Sequence, residues 1–463
     1  MGLRKGHTIE LTVEDMAYGG HGVGRVDGLV VFVRGTVPGD RILARVTRKK
    51  KDYAEAGLMQ ILQASRDRIP APCPYSGVCG GCQWQHVAYK RQLDFKREHV
   101  LGAVMRIGGL RDVHVHATMS SHHQLAYRNK MEFSFSDRRW LMPGEIEDAE
   151  SDRGSALGLH VPGTFHKVID INACLLQHDT GNRILQEVKT LTRKSGIPVY
   201  GLKSHEGFWR FLTLRHSRAF DEWMVNIVTS AENRDAIETV AKALTGSFSS
   251  IKTIVNNISA GKACIALGER EIPVTGPGVI EDRIGPYNFR ISANSFFQTN
   301  TSGTEILYNK VIDFAELNGK ETVLDLYSGT GTIPIFLSER AASVVGMEIV
   351  QSAVLDAEMN CRANAVHNCR FILGDIRENL RELDWKPDVL IIDPPRAGMH
   401  KDVLSRVMEM GTERIVYVSC NPTTLARDLA HMAEGYKIVE IQPVDMFPQT
   451  YHVESVTRLI RKK

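Results

Sequence analysis

The sequence predicts a multidomain protein with a small amino-terminal β-barrel, a central α+β domain and a carboxyl-terminal α/β domain built on a parallel sheet. The length of 463 residues exceeds that of an ordinary single domain. Short strand patterns separated by glycine-rich turns fill residues 1–62, and strand and helix patterns alternate regularly after residue 290. We therefore expect domains over residues 1–62, 63–290 and 291–463.

The composition is that of a globular protein without a membrane span. Hydrophobic residues make up 43% of the chain, the mean hydropathy is −0.18, and no apolar run approaches the ~18 residues that a membrane helix needs. The amino terminus alternates polar and apolar residues and lacks the shape of a secretion signal, so we expect a cytoplasmic protein with no membrane partner. The net charge of +3 neither requires nor excludes a polyanionic partner.

The first 62 residues are predicted to form five short strands, the pattern of a small barrel. The predicted strands are HTIELTVED, HGVGRV, GLVVFVRG, DRILARVTRKKK and YAEAGLMQIL. Such barrels commonly bind oligonucleotides on one face, and the run RVTRKKK with Tyr53 beside it offers cations and a stacking surface. A solvated edge strand protected by lysines explains the same run equally well.

Three cysteines are clustered in PCPYSGVCGGCQWQH, and a fourth follows much later in DINACLLQH. They are Cys73, Cys79, Cys82 and Cys174. Proline and glycine surround the cluster instead of an apolar stripe, which favours a metal site over unrelated buried thiols. Gly80 and Gly81 allow the chain to wrap around a bulky group. Four thiolates suit tetrahedral zinc and an iron–sulfur cluster alike, and the spacing does not separate the two.

Residues 111–290 carry short mixed strands, such as YRNKMEFSFS, FLTLRHS and EWMVNIVTS, with amphipathic segments between them. This pattern indicates an α+β domain. Its basic and aromatic side chains are candidates for nucleic-acid contact or for ordinary surface, and the sequence does not rank them. They are Tyr127, Arg128, Lys130, Arg138, Arg139, Trp140, Trp209 and Arg210.

Five strands are predicted in the carboxyl-terminal domain, and ligands of such sheets bind where the strands end. The strands are TVLDLY, ASVVGMEI, CRFILGD, DVLIID and RIVYVSC. After the first strand, Gly329 and Gly331 let a ligand approach the backbone, and the missing Lys-Ser/Thr pair argues against a nucleoside triphosphate. Glu348 ends the second strand, where an acid accepts hydrogen bonds from ribose hydroxyls. Asp375 ends the third strand, suited to an adenine edge or to capping the next helix.

The motifs DLYSGTG and IIDPPRAG resemble those of S-adenosylmethionine-dependent methyltransferases. In methylases of exocyclic amines, an aromatic residue usually follows the two prolines and stacks on the target base. Arg396 stands there in this chain. Methylation of an exocyclic amine is therefore kept only as the alternative reaction.

Cys420 offers the chemistry that methylation of a uracil carbon requires. Carbon 5 of uracil is a poor nucleophile until a group adds to carbon 6, and a thiolate can add there and later leave. Asn421 and Pro422 are suited to begin the next helix, so we expect the helix end to bias the thiol toward thiolate. A packed core thiol is the alternative. Proton removal from carbon 5 needs a general base, for which His452 and Glu454 are predicted on one face of a strand.

Five motifs in order closely resemble the RNA (uracil-5-)-methyltransferases. They are NSFFQTN, DLYSGTG, IDPPRAG, SCNPTTLARD and DMFPQTYHVES. The amino-terminal barrel resembles an OB-like TRAM domain, and the carboxyl-terminal domain a Rossmann-like S-adenosylmethionine-dependent methyltransferase. With its cysteines, the chain resembles the iron–sulfur branch that forms 5-methyluridine in 23S ribosomal RNA. This implies RNA as the partner, no DNA and a monomer, with transfer RNA as the alternative substrate.

The resemblance also implies roles for individual residues. Cys420 is implied as the nucleophile and Glu454 as the base that takes the carbon 5 proton. Contacts to S-adenosylmethionine are implied for Gln298, Tyr327, Glu348 and Asp393, and Asp375 is added from its strand-end position. Cys73, Cys79, Cys82 and Cys174 resemble the ligands of a 4Fe-4S cluster with a structural or RNA-binding role. The helix within residues 88–115 is implied to pack on the catalytic domain.

Overall fold

The structure is a computed structural model that describes residues 3–148 and 150–463. Three large β-sheets and one separate hairpin organise this part of the chain. None of the helices described there combines the length and the apolar character that a membrane crossing would require.

The first sheet has six strands in the order β1-β5-β6-β4-β3-β2, and β1 also contacts β3 so that the sheet curls on itself. The strands are β1 (Thr8–Thr12), β2 (Asp15–Ala17), β3 (His21–Val26), β4 (Leu29–Arg34), β5 (Arg41–Lys49) and β6 (Tyr53–Gln63). The prediction of five strands was wrong at one point, because HTIELTVED is interrupted after Thr12 and its last residue, Asp15, begins a sixth strand, β2. The Val13 N–H donates to Asp40 O and the Glu14 N–H to Val23 O, so the chain changes its pairing partner there.

Helix α1 (Tyr89–Arg106) and the short strand β7 (His114–Val115) follow, and then the second sheet. This sheet has eight strands in the order β15-β14-β13-β12-β8-β10-β11-β9. Its strands are β8 (Lys130–Ser136), β9 (Arg139–Trp140), β10 (Ala156–His160), β11 (Val168–Asp170), β12 (Trp209–Ser217), β13 (Glu222–Thr229), β14 (Ile251–Ile258) and β15 (Arg270–Thr275). Helices α2 (Asp179–Lys194) and α3 (Arg234–Ser247) bury their apolar residues against it, and a 3-10 turn covers Pro143–Glu145.

Three of the residues considered for nucleic-acid contact belong to the interior of the central region. Tyr127, Trp209 and Arg210 are buried. The Arg210 Nη1 and Nη2 atoms donate to the backbone oxygens of Ser259, Gly261 and Ala263, so these donors are used within the protein. A buried aromatic or arginine looks the same in sequence as an exposed one when it occurs in a mixed strand.

The third sheet has the order β20-β19-β18-β21-β22-β24-β23-β7, in which the strands from β20 to β22 are parallel. A hairpin, β16 (Val279–Ile284) and β17 (Tyr287–Ser292), precedes it. The remaining elements are α4 (Thr301–Ala315), β18 (Thr322–Leu326), α5 (Thr332–Ser338), β19 (Ser343–Glu348), α6 (Gln351–Ala363), β20 (Cys369–Leu373), α7 (Ile376–Glu382), β21 (Val389–Ile392), α8 (Lys401–Met410), β22 (Arg414–Ser419), α9 (Pro422–Met432), β23 (Tyr436–Val444) and β24 (Glu454–Arg461).

The hairpin packs on the core of the third sheet, because Ile280 and Phe289 belong to one apolar cluster with Leu307 of α4. Residue 290, where a domain boundary was predicted, therefore lies inside β17. The segment that holds the hairpin contributes to the core beneath the parallel strands.

Helix α1 also lies against the third sheet, far from its neighbours in sequence. It contacts α9, and β7 pairs in parallel with β23 at the sheet edge. Lys96 and Asp445 form a fully buried ion pair, and the Tyr89 hydroxyl donates to the same carboxylate at 2.8 Å. Burial of both charges is tolerable because each has a partner. These contacts hold α1 beside the loop that leads into β24.

Candidate active site

The loop after β18 turns sharply through left-handed backbone conformations. Tyr327 has φ 68°, Gly329 54° and Gly331 78°. At Gly331 an added Cβ would lie 2.8 Å from the ring of Phe371, so this position needs glycine for space as well as for conformation. The turn brings backbone N–H groups to the carboxyl edge of the sheet, where ligands of this architecture bind.

Glu348, the last residue of β19, is held against this loop by backbone donors. Its Oε2 accepts from the Gly329 N–H, and its Oε1 accepts from the N–H groups of Ile349 and Val350, all at 2.9 Å. The carboxylate is therefore fixed at the strand end instead of moving freely in solvent.

Asp325 lies in β18 and is fully buried, yet neither carboxylate oxygen has a hydrogen-bond partner within the described residues. Burial raises its pKa well above the usual range, and the nearby charges of Asp393 and Glu348 raise the pKa further. Three acidic groups thus surround one strand-end loop. An unpartnered buried carboxyl is costly, and a cationic ligand would relieve that cost. Sequence reasoning overlooked Asp325, although an acid within the apolar run TVLDLY was a signal.

Cys420 follows β22 and lies near two acidic groups. Burial raises the pKa of its thiol to about 12, with further increases from Glu454 and Asp393 and a partial offset from Arg396. The expectation of a thiolate biased by the helix end was therefore wrong for the protein without ligands. Burial and the negative neighbours favour the neutral thiol in this environment.

Glu454 is the first residue of β24 and is only 5% exposed. Burial raises its pKa to about 8, Asp393 raises it as well, and Arg396 lowers it. Asp393, directly after β21, has its pKa raised to about 7 by burial. The nucleophile candidate and the base candidate therefore share one electrostatic environment with Asp393 and Arg396.

The start of α9 is built as the sequence predicted. Asn421 caps the helix by accepting from the Thr423 N–H at 3.1 Å, and Pro422 takes the first position. The Asn421 amide donates to Arg396 O at 3.1 Å, which ties the Asp-Pro-Pro-Arg turn to the residue after Cys420. Asp428, which sequence reasoning did not select, accepts from the Met399 N–H at 3.0 Å and so holds the other end of that turn.

His452 does not share a strand face with Glu454, because β24 begins at Glu454 and His452 lies in the preceding loop. Burial lowers the pKa of His452 to about 4, so the ring is neutral near pH 7. Its ring centroid lies 4.2 Å from that of Tyr451. The prediction of a common strand face was wrong because the strand begins only at Glu454.

The three other predicted cofactor contacts differ in how far they are already engaged within the protein. Gln298 lies in the loop between β17 and α4, where its backbone oxygen accepts from Asn129 Nδ2 at 2.8 Å. Burial raises the pKa of Tyr327 to about 12. Asp375 is used as the cap of α7, accepting from the Arg377 N–H at 2.8 Å, and its ion pair with Arg377 holds its pKa down at about 2. A cofactor role for Asp375 stays a prediction.

The four predicted cysteine ligands line one cavity of about 390 Å³ in the central region. Cys82 Sγ accepts from Gln85 Nε2 at 3.2 Å, and Cys79 Sγ accepts from the Gly81 N–H at 3.3 Å. Burial raises the pKa of Cys79 to about 11 and that of Cys82 to about 12, and nearby thiols add to both. Over residues 3–148 and 150–463, no three His, Cys, Asp or Glu side chains converge tightly enough to hold a metal ion.

The segment after Cys82 is joined to the loop before Glu454. The N–H groups of Gln83 and Trp84 both donate to Gln449 O at 3.0 Å. Gln92 of α1 exchanges hydrogen bonds with Gln449 in both directions, each at 3.0 Å. The segment that follows Cys82 is therefore tied by backbone and amide hydrogen bonds to Gln449, in the loop before Glu454.

Models of two known protein families match parts of this chain. The family described as tRNA (Uracil-5-)-methyltransferase matches residues 221–462, and the TRAM domain matches residues 2–59. An uncharacterized RNA methyltransferase of Chlorobaculum tepidum is 41% identical, over 98% of this chain and 96% of the relative. Another, from Halalkalibacterium halodurans, is 36% identical, over 99% of this chain and 98% of the relative.

A solved structure is similar along the whole chain. The crystal structure of Pyrococcus abyssi tRNA (uracil-54, C5)-methyltransferase in complex with S-adenosyl-L-homocysteine is 29% identical and has a TM-score of 0.75. The match covers 98% of this chain and 100% of that one. The resemblance inferred from the five motifs is confirmed, as are the TRAM and methyltransferase parts of the predicted fold. The chain belongs to the S-adenosylmethionine-dependent RNA (uracil-5-)-methyltransferase family and carries a TRAM domain at its amino end.

Proposed function

We propose that this protein methylates carbon 5 of a specific uridine in RNA, with Cys420 as nucleophile and Glu454 as general base. The observation that carries the proposal is the shared environment of the two groups at the carboxyl edge of the third sheet. A thiol beside a buried carboxyl whose pKa lies near neutrality is the pair that addition to carbon 6 and proton removal from carbon 5 require.

The proposed reaction balances as follows. After its proton has passed to solvent, the Cys420 sulfur forms a bond to carbon 6, and the electron pair of the carbon 5–carbon 6 double bond moves to the carbonyl oxygen at carbon 4. The carbonyl at carbon 4 then re-forms as carbon 5 takes the methyl group, and the bond from that methyl to the sulfonium of S-adenosylmethionine breaks with its electron pair left on sulfur, giving S-adenosylhomocysteine. The Glu454 carboxylate removes the remaining carbon 5 proton, the double bond re-forms, and the thiolate leaves carbon 6.

Arg396 assists both groups in this scheme. It lowers the pKa of Cys420 and of Glu454, and both must be ionised to act. Its position after the two prolines, where an amine methylase carries a stacking aromatic, suits a cation that supports a thiolate. Methylation of an exocyclic amine would leave Cys420 without a task, and the matched family is a uracil-5 family.

S-adenosylmethionine, when bound, supplies the methyl group and carries both an ammonium and a sulfonium charge. The acidic residues fit such a ligand. Asp325 has two buried oxygens without a partner in the part of the chain that the structure describes, and burial together with the charges of Asp393 and Glu348 raises its pKa. We assign Glu348, Asp393, Tyr327 and Gln298 to its site, with Asp375 as a weaker member because it already caps a helix.

We propose 23S ribosomal RNA as the substrate, read by residues 1–62 and 63–290 around a target uridine that leaves its stack to reach Cys420. The support is the combination of a TRAM domain with four cysteines around one cavity. Transfer RNA is an equally good second candidate, since the similar Pyrococcus abyssi enzyme acts on tRNA uracil-54. We expect the protein to act as a monomer.

We also propose that the cysteine-lined cavity holds a 4Fe-4S cluster. Four thiols at its wall and sulfur atoms that already accept N–H donors suit a group wider than a single ion. A cluster bound there would join the segment that holds Cys73, Cys79 and Cys82 to Cys174. It would stabilise the fold and would not supply electrons. Protein purified without oxygen should contain iron and sulfide in near-equal amounts, and zinc alone would overturn the assignment.

One experiment separates the substrates. RNA from cells with and without the gene is divided into 23S ribosomal and transfer fractions, and 5-methyluridine is mapped in each by mass spectrometry. Loss of one ribosomal position supports the proposal, and loss in transfer RNA supports the second candidate. No loss in either fraction, together with no transfer to either RNA in vitro, would overturn uridine methylation.

A further inference from the structure

The turn between β2 and β3 carries an aromatic side chain from the amino-terminal domain to the active site. The Tyr18 ring packs edge-on against Tyr451, with centroids 5.3 Å apart, and edge-on against His99 of α1 at 5.7 Å. Tyr451 contacts His452, which lies two residues before Glu454. Tyr18, Tyr451 and His452 form an aromatic row that runs from the TRAM domain to the loop directly before Glu454.

The turn is docked firmly enough to position this ring. The Met16 backbone oxygen is 2.8 Å from His99 Nε2, and the Met16 side chain is buried in one cluster with Trp84 and Phe95. A Cβ added at Gly20 would lie 3.0 Å from Gln83 Cβ, so the backbone of the turn lies close to the cysteine segment. The docking therefore uses the same residues that bind the loop before Glu454.

The Tyr18 hydroxyl lies within the influence of the catalytic pair. Burial raises its pKa, and the charges of Tyr451, Cys420 and Glu454 raise the pKa further. The ring is only partly buried, and no hydrogen bond to its hydroxyl is found in the part of the chain that the structure describes. A phenol with a free donor, held against Tyr451 in the segment that leads to Glu454, is suited to bind a polar group of the substrate.

We propose that Tyr18 is a substrate-binding residue whose hydroxyl donates a hydrogen bond to the extruded target nucleotide at the mouth of the cleft. The inference deepens the proposed function and rests on it, because that nucleotide is the ligand. The TRAM domain then completes the active site in addition to holding the RNA backbone. Removing the hydroxyl should slow capture of the base more than it weakens binding of the whole RNA.

The test compares Tyr18→Phe and Tyr18→Ala with the wild-type full-length protein on an RNA substrate fragment. Tyr436→Phe is the matched control, since it removes a hydroxyl that donates to Thr412 O at 2.9 Å and takes no part in the proposed site. The rate of covalent adduct formation is measured in single turnover on denaturing gels. We expect Tyr18→Phe to slow it roughly 3- to 10-fold, the effect of losing one hydrogen bond. RNA affinity should change less than about twofold, because phosphate contacts dominate affinity.

The outcomes are distinct. Wild-type rates in Tyr18→Phe would overturn the inference, even if Tyr18→Ala is slow, because only the packing of the ring would then matter. An equal loss in Tyr436→Phe would overturn it too, since the effect would then not be specific to the Tyr18 hydroxyl. Heat unfolding of each variant identifies a folding defect. The proposed function itself fails earlier, if wild-type protein forms no 5-methyluridine in ribosomal or transfer RNA.

Discussion

The ionisation of Glu454 should control how fast the covalent complex resolves. With a pKa of about 8, the carboxyl is roughly one-tenth ionised at pH 7 and about nine-tenths ionised at pH 9. If proton removal from carbon 5 limits resolution, the rate should rise about tenfold across that interval. Glu454→Gln cannot ionise, so its adduct should persist and its residual rate should not follow the titration. The loss expected for a missing general base is about 100- to 10,000-fold.

The assay is rapid mixing of protein, S-adenosylmethionine and RNA, followed by quenching and separation of the slow-moving protein–RNA band. The exposed carboxyl of Glu434 offers a control, and Glu434→Gln should behave as wild type at every pH. A wild-type resolution rate that is flat from pH 6.5 to 9.5, or rapid turnover by Glu454→Gln, would refute the role of Glu454 as base.

The same pKa has a consequence for stability. The folded-state pKa of Glu454 lies above the ordinary value of 4.5, so the folded protein binds the proton more tightly than the unfolded chain. The resulting stabilisation is complete below pH 4.5 and is lost as the pH rises through about 8. Glu454→Gln cannot ionise and so does not lose this stabilisation as the pH rises. The Tm of Glu454→Gln minus the Tm of wild type should therefore increase from pH 6 to pH 9.

Three further changes test other parts of the structure. Arg396→Ala should raise the pKa of Cys420 and slow adduct formation most at neutral pH, whereas Arg396→Lys should restore part of the rate; equal pH profiles would contradict this. Lys96→Met leaves Asp445 buried without its cation and should lower the free energy of unfolding by about 3–5 kcal/mol in urea melts. Adding Asp445→Leu removes the unpaired charge and should recover stability. If the double variant is as unstable as Lys96→Met, the unpaired charge is not the cause. Replacing the lysines of residues 49–51 by alanine should reduce the dependence of RNA affinity on salt by a slope of about 0.7–0.9 per lost phosphate contact; an unchanged slope would make the run an edge strand without RNA contact.

Local signals in the sequence were sufficient where the chemistry depends on neighbouring residues. Asn421 and Pro422 start α9 as their types require, and Glu348 ends its strand beside the glycine loop. The split of the first predicted strand could not be foreseen, because it depends on Asp40 and Val23 as partners. Helix and strand ends follow from local preference, whereas pairing follows from the whole sheet.

Properties that depend on distant residues lay outside the reach of the sequence. The buried pair Lys96–Asp445 joins positions 349 residues apart. The raised pKa of Cys420 results from burial and from carboxyls on other strands, which a helix-end argument omits. The contact of Tyr18 with Tyr451 crosses nearly the entire chain. In each case the partner residue, or the direction of the pKa shift, becomes known only from the three-dimensional structure.

The most direct test of the covalent mechanism uses RNA in which the target uridine carries fluorine at carbon 5. After thiol addition and methyl transfer, Glu454 finds no proton to remove, so the adduct cannot resolve. Digestion and mass spectrometry should then find the methylated nucleotide attached to the peptide that contains Cys420. Attachment at another residue, or methyl transfer with no stable adduct, would contradict the assignment of Cys420 as the nucleophile.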